Sequence, residues 1–156
     1  MDEIEAEFVK YQELLDAYYD KKERIYQTSR GIAIESKRII CLLHRPRQLN
    51  SGCFKEAERR LQTVRDTGLQ SLAKELNGEE LSMFQSSYSF GLQEYIEALL
   101  LFYFLSRKSI PLLEDVRRLL VYTDNQGENY LFLHVSIEDY VGAELTQTWI
   151  EPLYVV

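Results

Sequence analysis

The sequence predicts an all-α protein, an elongated antiparallel bundle of helices in one domain spanning residues 1–156. Three observations lead there. Apolar residues recur in alternating steps of four and three from Ile4 to Leu43, the period of a helix packed along one stripe. Only Pro46, Pro111 and Pro152 interrupt the chain, and each lies at the edge of a periodic stretch. The run from Ala98 to Leu105 is apolar on every side, as a helix at the centre of a bundle must be.

The first helix is expected over residues 2–45. Its seam is Ile4, Phe8, Tyr11, Leu15, Tyr18, Lys22, Ile25, Ser29, Ile32, Ser36, Ile39 and Leu43, apolar at nine of twelve positions. Such a helix reaches roughly 65 Å at 1.5 Å per residue, whereas a compact domain of this size has a radius of gyration of only ~15 Å. It must overhang its own domain, which implies an elongated bundle or a partner chain. Ser29 and Ser36 on the seam permit close helix approach, or mark a bend at Gly31. Pro46 ends the element, and Leu49-Asn50-Ser51-Gly52 makes a turn. A second helix follows from about Phe54 to Leu76, with Leu61, Val64, Leu69, Leu72 and Leu76 inward and Asn77-Gly78 as its stop. The third, Glu80 to Lys108, is the central one. Ser109-Ile110-Pro111 opens a short fourth helix carrying Leu112, Leu113, Val116, Leu119 and Leu120 on one face. Thr123 to Asn129 is a polar loop and Tyr130 to Val135 an extended segment. Ser136 and Asp139 form a box-like cap for a fifth helix reaching Trp149, with Pro152 ending it.

Composition narrows the class. Hydrophobic residues at 46% suffice for a core, and 28% charged residues with three prolines exclude a fibrous or disordered chain. Two cysteines and an acidic start, Met1-Asp2-Glu3-Ile4-Glu5, suggest a reducing, intracellular setting rather than a secreted disulfide scaffold. No apolar run approaches the ~20 residues of a membrane span, so no membrane partner is expected. Charge is uneven within the overall −7. Residues 29–65 hold 9 basic and 3 acidic groups, net +6, while residues 66–156 hold 5 basic and 14 acidic, net −9. The basic middle is either a phosphate-contacting surface or a solvated face paired with acidic neighbours. As a nucleic-acid surface it would use Arg30, Lys37, Arg38, Arg45 and Arg47.

Chemistry-bearing residues are few. His44 and His134 lie far apart, Cys41 shares a face with His44 without a third partner, and no glycine-rich phosphate loop occurs. The informative segment is Gly91-Leu92-Gln93-Glu94-Tyr95-Ile96-Glu97-Ala98. Glu94 and Glu97, three apart, share one helix face close to the most apolar part of the chain. A carboxylate there needs a cation, a donor or a metal. Glu144, on the inward stripe of the fifth helix with Tyr140, Val141 and Leu145, is a candidate third carboxylate. Three oxygen donors without histidine suit Mg²⁺ or Mn²⁺ rather than zinc, and the absence of a Glu-x-x-His pattern at Glu94 weakens a di-iron centre. The alternative is that Glu94 and Glu97 make ordinary ion pairs with Lys37 or Arg38.

Several stretches are specific. Leu15-Asp16-Ala17, Asp20-Lys21, Glu23-Arg24, Ser29-Arg30, Ile34-Glu35-Ser36-Lys37-Arg38 and Leu42-Leu43-His44-Arg45 resemble the translin-associated factor X branch of the translin family. Gly91 to Ala98 and Glu138-Asp139-Tyr140-Val141-Gly142 are similar to the same branch, so the resemblance covers residue 8 to about 146. It implies a translin-like all-α subunit that assembles with translin into a hollow hetero-oligomer, cytoplasmic and nuclear. That assembly is a Mg²⁺-dependent endoribonuclease on single-stranded RNA, acting in passenger-strand removal and transfer-RNA processing, and it also binds DNA. Carried over singly, the resemblance assigns catalysis and metal binding to Glu94, Glu97 and Glu144, the last standing where the family has an aspartate. Thr148 stands where the family has a further metal-binding glutamate. From Gln147 onward the match stops, and the family's basic N-terminal tail and further C-terminal helices have no counterpart in the sequence. An alternative splice product or a shifted reading frame would explain such an ending. Two expectations therefore stand: a metal-dependent ribonuclease subunit, or a truncated, non-catalytic RNA- or partner-binding subunit.

Overall fold

Helix α1, Glu3–Leu43, is 41 residues long and spans roughly 60 Å without a break at Gly31. In the computed structural model, which describes residues 2–45, 50–123, 127 and 130–145 (side chains of 144 and 145 excepted), only the second half of this helix lies in the core. Ile25, Ser29, Ile32, Ser36, Ile39 and Leu43 are buried, all seam positions. Ile4, Phe8, Tyr11 and Leu15 continue the seam yet remain 53% to 69% exposed. The expected overhang is therefore present. Its last tie to the bundle is Tyr18, whose hydroxyl donates to the Met83 carbonyl at 3.1 Å and whose ring lies 5.4 Å from that of Phe84.

Helix α2, Ser51–Val64, starts three residues earlier than the sequence suggests, because Asn50 caps it. The Asn50 Oδ1 accepts the Cys53 N–H at 2.9 Å, satisfying one of the orphan donors of the first turn. Instead of one helix to Leu76, the chain makes a five-residue π turn, Arg65–Leu69, and then α3, Gln70–Leu76. The π turn sits where Gly68 meets α1: a Cβ there would lie 2.7 Å from Ile32 Cγ1. Gly78, at φ +78°, supplies the left-handed residue that turns the chain after α3. A 3₁₀ turn, Leu81–Met83, precedes α4, Gln85–Arg107, the expected central helix, with twelve buried residues including Leu99, Leu100, Leu101 and Phe102.

Helices α1 and α2–α3 run antiparallel, as Arg24 with Glu75 and Leu42 with Cys53 show. Helix α4 returns antiparallel to α2, with Phe54 on Phe102 at one end and Arg65, just past α2, beside Tyr95 at the other. Short α5, Leu113–Leu119, follows Pro111; the Leu112 N–H donates to Asp115 Oδ2 at 3.0 Å to start it. A small antiparallel ribbon then pairs β1, Val121–Thr123, with β2, Tyr130–Phe132, in the register Val121↔Phe132 and Thr123↔Tyr130. The extended segment at Tyr130 was expected; its partner strand β1 was not. Its inward residue Tyr122 donates to the Arg65 carbonyl at 2.8 Å, so the ribbon is tied to the π turn. Last, α6, Ile137–Leu145, packs on α4. The end of the fifth helix at Trp149 and Pro152, Pro46, and most of the Thr123–Asn129 loop lie outside the described residues. The result is an elongated all-α bundle around one contiguous apolar cluster. Among the described residues no helix is long and apolar enough to cross a membrane.

Candidate functional site

The site begins at a contact between two small residues. Gly91 on α4 lies so close to α1 that a Cβ would stand 2.4 Å from the Ser29 carbonyl oxygen and 2.4 Å from its Oγ. The Ser29 hydroxyl donates to the Tyr88 carbonyl at 3.2 Å and accepts the Gly91 N–H at 3.1 Å. The seam serine thus permits close approach, as its size suggests, and its hydroxyl also pins the two helices in register. One turn further along α4, Glu94 comes opposite α1. Its Oε1 lies 3.6 Å from Lys37 Nζ, and the carboxylate is only 15% exposed against 56% for the lysine. Lys37 also sits over the Phe90 ring, 4.9 Å from its centroid.

On the other side of the same stripe is α6. The Gln93 amide donates to Asp139 Oδ1 at 3.1 Å, and Asp139 is 3% exposed. Asp139 Oδ2 accepts the Ser136 hydroxyl at 2.8 Å, whose Oγ accepts the Asp139 N–H at 3.0 Å; this reciprocal pair is the cap that starts α6. At about 100° per residue, Glu97 falls between the Gln93 and Glu94 directions. Glu94 and Glu97 are therefore together on a half-buried strip of α4, flanked by α1 and α6. Tyr95 and Ile96 between them point into the core, and burial drives the Tyr95 phenol far above its usual range. The Glu94–Lys37 pair is the ion pair that the sequence left open.

Oxygen donors are the only kind this strip offers. Two carboxylates one turn apart fit a hard cation that keeps its remaining ligands from water and phosphate, as Mg²⁺ does. Among the described residues no group of three His, Cys, Asp or Glu side chains converges on one point. The backbone of Glu144 lies in α6; its side chain, and Thr148, lie outside the described residues.

Comparison with known proteins decides the family. The translin family profile matches residues 20–146. The chain belongs to the translin family. It is 38% identical over 126 residues to Translin-associated protein X of Pongo abelii and 39% identical over 124 residues to that of Rattus norvegicus. Each match covers 78% of this chain but only 43% and 42% of the relative, so the chain spans about two-fifths of their length. A homolog of Translin-associated protein X from Schizosaccharomyces pombe is 30% identical over 156 residues, covering 92% of this chain and 68% of the relative. The crystal structure of apo-NeC3PO shares the fold, with a TM-score of 0.59 over 98% of this chain and 70% of that one, at 22% identity.

Within this translin-family bundle the predicted basic residues that are described lie on more than one side of α1. Arg30 and Lys37, seven apart, share an azimuth on α1, and both are exposed. Arg38 is turned about 100° away, pairs with Glu35 and lines a groove of about 500 Å³ toward α2. The sequence reading missed two residues of that groove, Arg59 and Arg60; both hydrogen-bond to Glu56. Their guanidinium hydrogen bonds, Arg59 first, hold the Glu56 carboxyl down at about 2. Arg45 is exposed just beyond α1, and Arg47 lies outside the described residues. Asp139 and Gln93 were also missed as site residues. The sequence marks Asp139 only as a cap, and no sequence spacing links it to a glutamine 46 positions earlier.

Proposed function

We propose that this chain is the translin-associated-X-type subunit of a translin-containing hetero-oligomer that cuts single-stranded RNA with Mg²⁺. Glu94, Glu97 and Glu144 are the residues that would hold the cation. The cation supplies activation of water and relief of charge on the leaving oxygen of a phosphodiester. The chain's own part is positional. The Gly91–Ser29 contact sets α4 on α1, Glu94 and Glu97 present their oxygens from one rigid helix, and Lys37 with Arg30 gives an RNA phosphate a cationic edge beside them. The observation that carries the reading is the pair of half-buried glutamates one turn apart on the most buried helix of a translin-family bundle.

The test is cleavage of single-stranded RNA by purified chain plus purified translin. Cleavage that needs Mg²⁺, is stopped by chelation and is abolished by Glu97→Ala supports the proposal. A second reading is a non-catalytic, partner-binding subunit. It is favoured by Lys37, whose ammonium 3.6 Å from Glu94 competes with any divalent ion, and by Thr148 in place of a family carboxylate. Co-elution with translin without cleavage selects that reading. Glu144→Asp with Thr148→Glu is then expected to raise cleavage.

A further inference from the structure

The first turns of α1 project from the bundle with an apolar stripe bare. Residues 2–17 are all exposed, and the first buried side chain of α1 is Ile25. Yet Ile4, Phe8, Tyr11 and Leu15 keep the four-three register that further along is packed into the core, and exposed Leu14 and Tyr19 border and widen the stripe. Single exposed apolar residues are ordinary; six large ones on one register-true stripe mark a surface that another helix covers.

We infer that this overhang pairs as a coiled coil with a helix of a different chain, one with an apolar seam bordered by Lys or Arg. The inference rests on the proposed assembly only in taking the partner to be one of its subunits. Charge selects the occupant. Residues 2–20 carry seven acidic groups and one basic group, Lys10, net −6. With Phe8 and Leu15 at one seam position and Ile4 and Tyr11 at the other, Glu5 and Glu7 fall at the bordering positions that choose partners. A second copy would set the same glutamates and another −6 against these, whereas a basic-bordered helix neutralises them.

The experiment uses the full chain and a synthetic four-heptad helix with Leu along its seam and Lys at its borders. Its control is the same helix with Glu borders. The variant is Phe8→Gln with Leu15→Gln, which keeps the net charge and alters only exposed side chains, so its melting curve should match that of the parent. The expected result is binding of the Lys-bordered helix alone, weakened about 100-fold in the variant and weakened by added salt. Equal binding by the variant, equal binding of the Glu-bordered helix, or no binding at all overturns the inference. So does self-association of the parent chain that the variant abolishes, because the occupant is then a second copy. Purified translin forms the second arm. Co-elution lost in the variant supports the inference, and co-elution unchanged in the variant overturns it while leaving the proposed assembly standing. No co-elution even with the parent chain overturns the proposed assembly and leaves the helix-binding result to decide the inference.

Discussion

Gly91→Ala adds one methyl group where α1 and α4 touch. The new Cβ would lie 2.4 Å from the Ser29 carbonyl oxygen, 2.4 Å from its Oγ and 3.0 Å from its carbonyl carbon. Ordinary carbon–oxygen contact needs about 1 Å more, and the obstacle is backbone, so no rotamer change clears it. Forced overpacking of this kind costs about 1–3 kcal/mol. The shift also breaks the buried Gly91 N–H to Ser29 Oγ hydrogen bond, worth about 1 kcal/mol. Against this, alanine is about 1 kcal/mol better than glycine inside a helix. The net expectation is a loss of about 2 kcal/mol, which for a domain of this size lowers Tm by roughly 4–8 °C. Urea and thermal denaturation of the purified variant measure it. Gly31→Ala is the control, since a Cβ there meets nothing within 4 Å; that variant should gain up to about 1 kcal/mol from propensity alone. Ser29→Gly should not rescue Gly91→Ala, because the carbonyl remains. A Gly91→Ala protein as stable as its parent would refute the claim that this contact fixes the register of the Glu94 helix.

Ser36→Ala should stabilise the protein by about 1 kcal/mol, since the fully buried Ser36 hydroxyl has no hydrogen-bond partner among the described residues; a lower Tm would reveal one. Asp139→Ala should cost about 1–3 kcal/mol in urea titration, because it strips an acceptor from both Gln93 and Ser136. Glu56→Gln should destabilise at pH 7 and converge with its parent near pH 2. A carboxyl held down at about 2 contributes stability above the ordinary carboxylate range and loses it as pH falls toward that value. Denaturation midpoints at both pH values check the sign.

Much of this architecture can be read from periodicity alone. The α1 seam from Ile25 to Leu43, the apolar centre of α4 and the overhang itself all follow from residue spacing, because burial on a long helix repeats often enough to be visible. Strand β1 could not be read so, since three residues hold no period and its pairing is set by Tyr122 reaching the Arg65 carbonyl. Glu94 and Glu97 could be placed together because three residues on one helix is a local relation. The junction of Asp139 with Gln93 is tertiary, made between helices that the sequence does not order in space. The divergence of Lys37 and Arg38 by about 100° was legible in principle, since they are adjacent on one helix.

The π turn says something about the length of this chain. From α2 through the π turn to α3, the row Ala57, Leu61, Val64, Leu69, Leu72 and Leu76 is buried at steps of four, three, five, three and four, with Cys53 and Ala73 buried beside it. Only the step across Arg65–Leu69 breaks the alternation. Taking out one residue there, exposed Thr67 for instance, restores four, three, four, three, four, the repeat of an uninterrupted helix. The two halves on either side are therefore each in phase, and the turn absorbs a single surplus residue between them. Such a position is where relatives of unequal length can differ by one residue without either half rotating its apolar side out of the bundle.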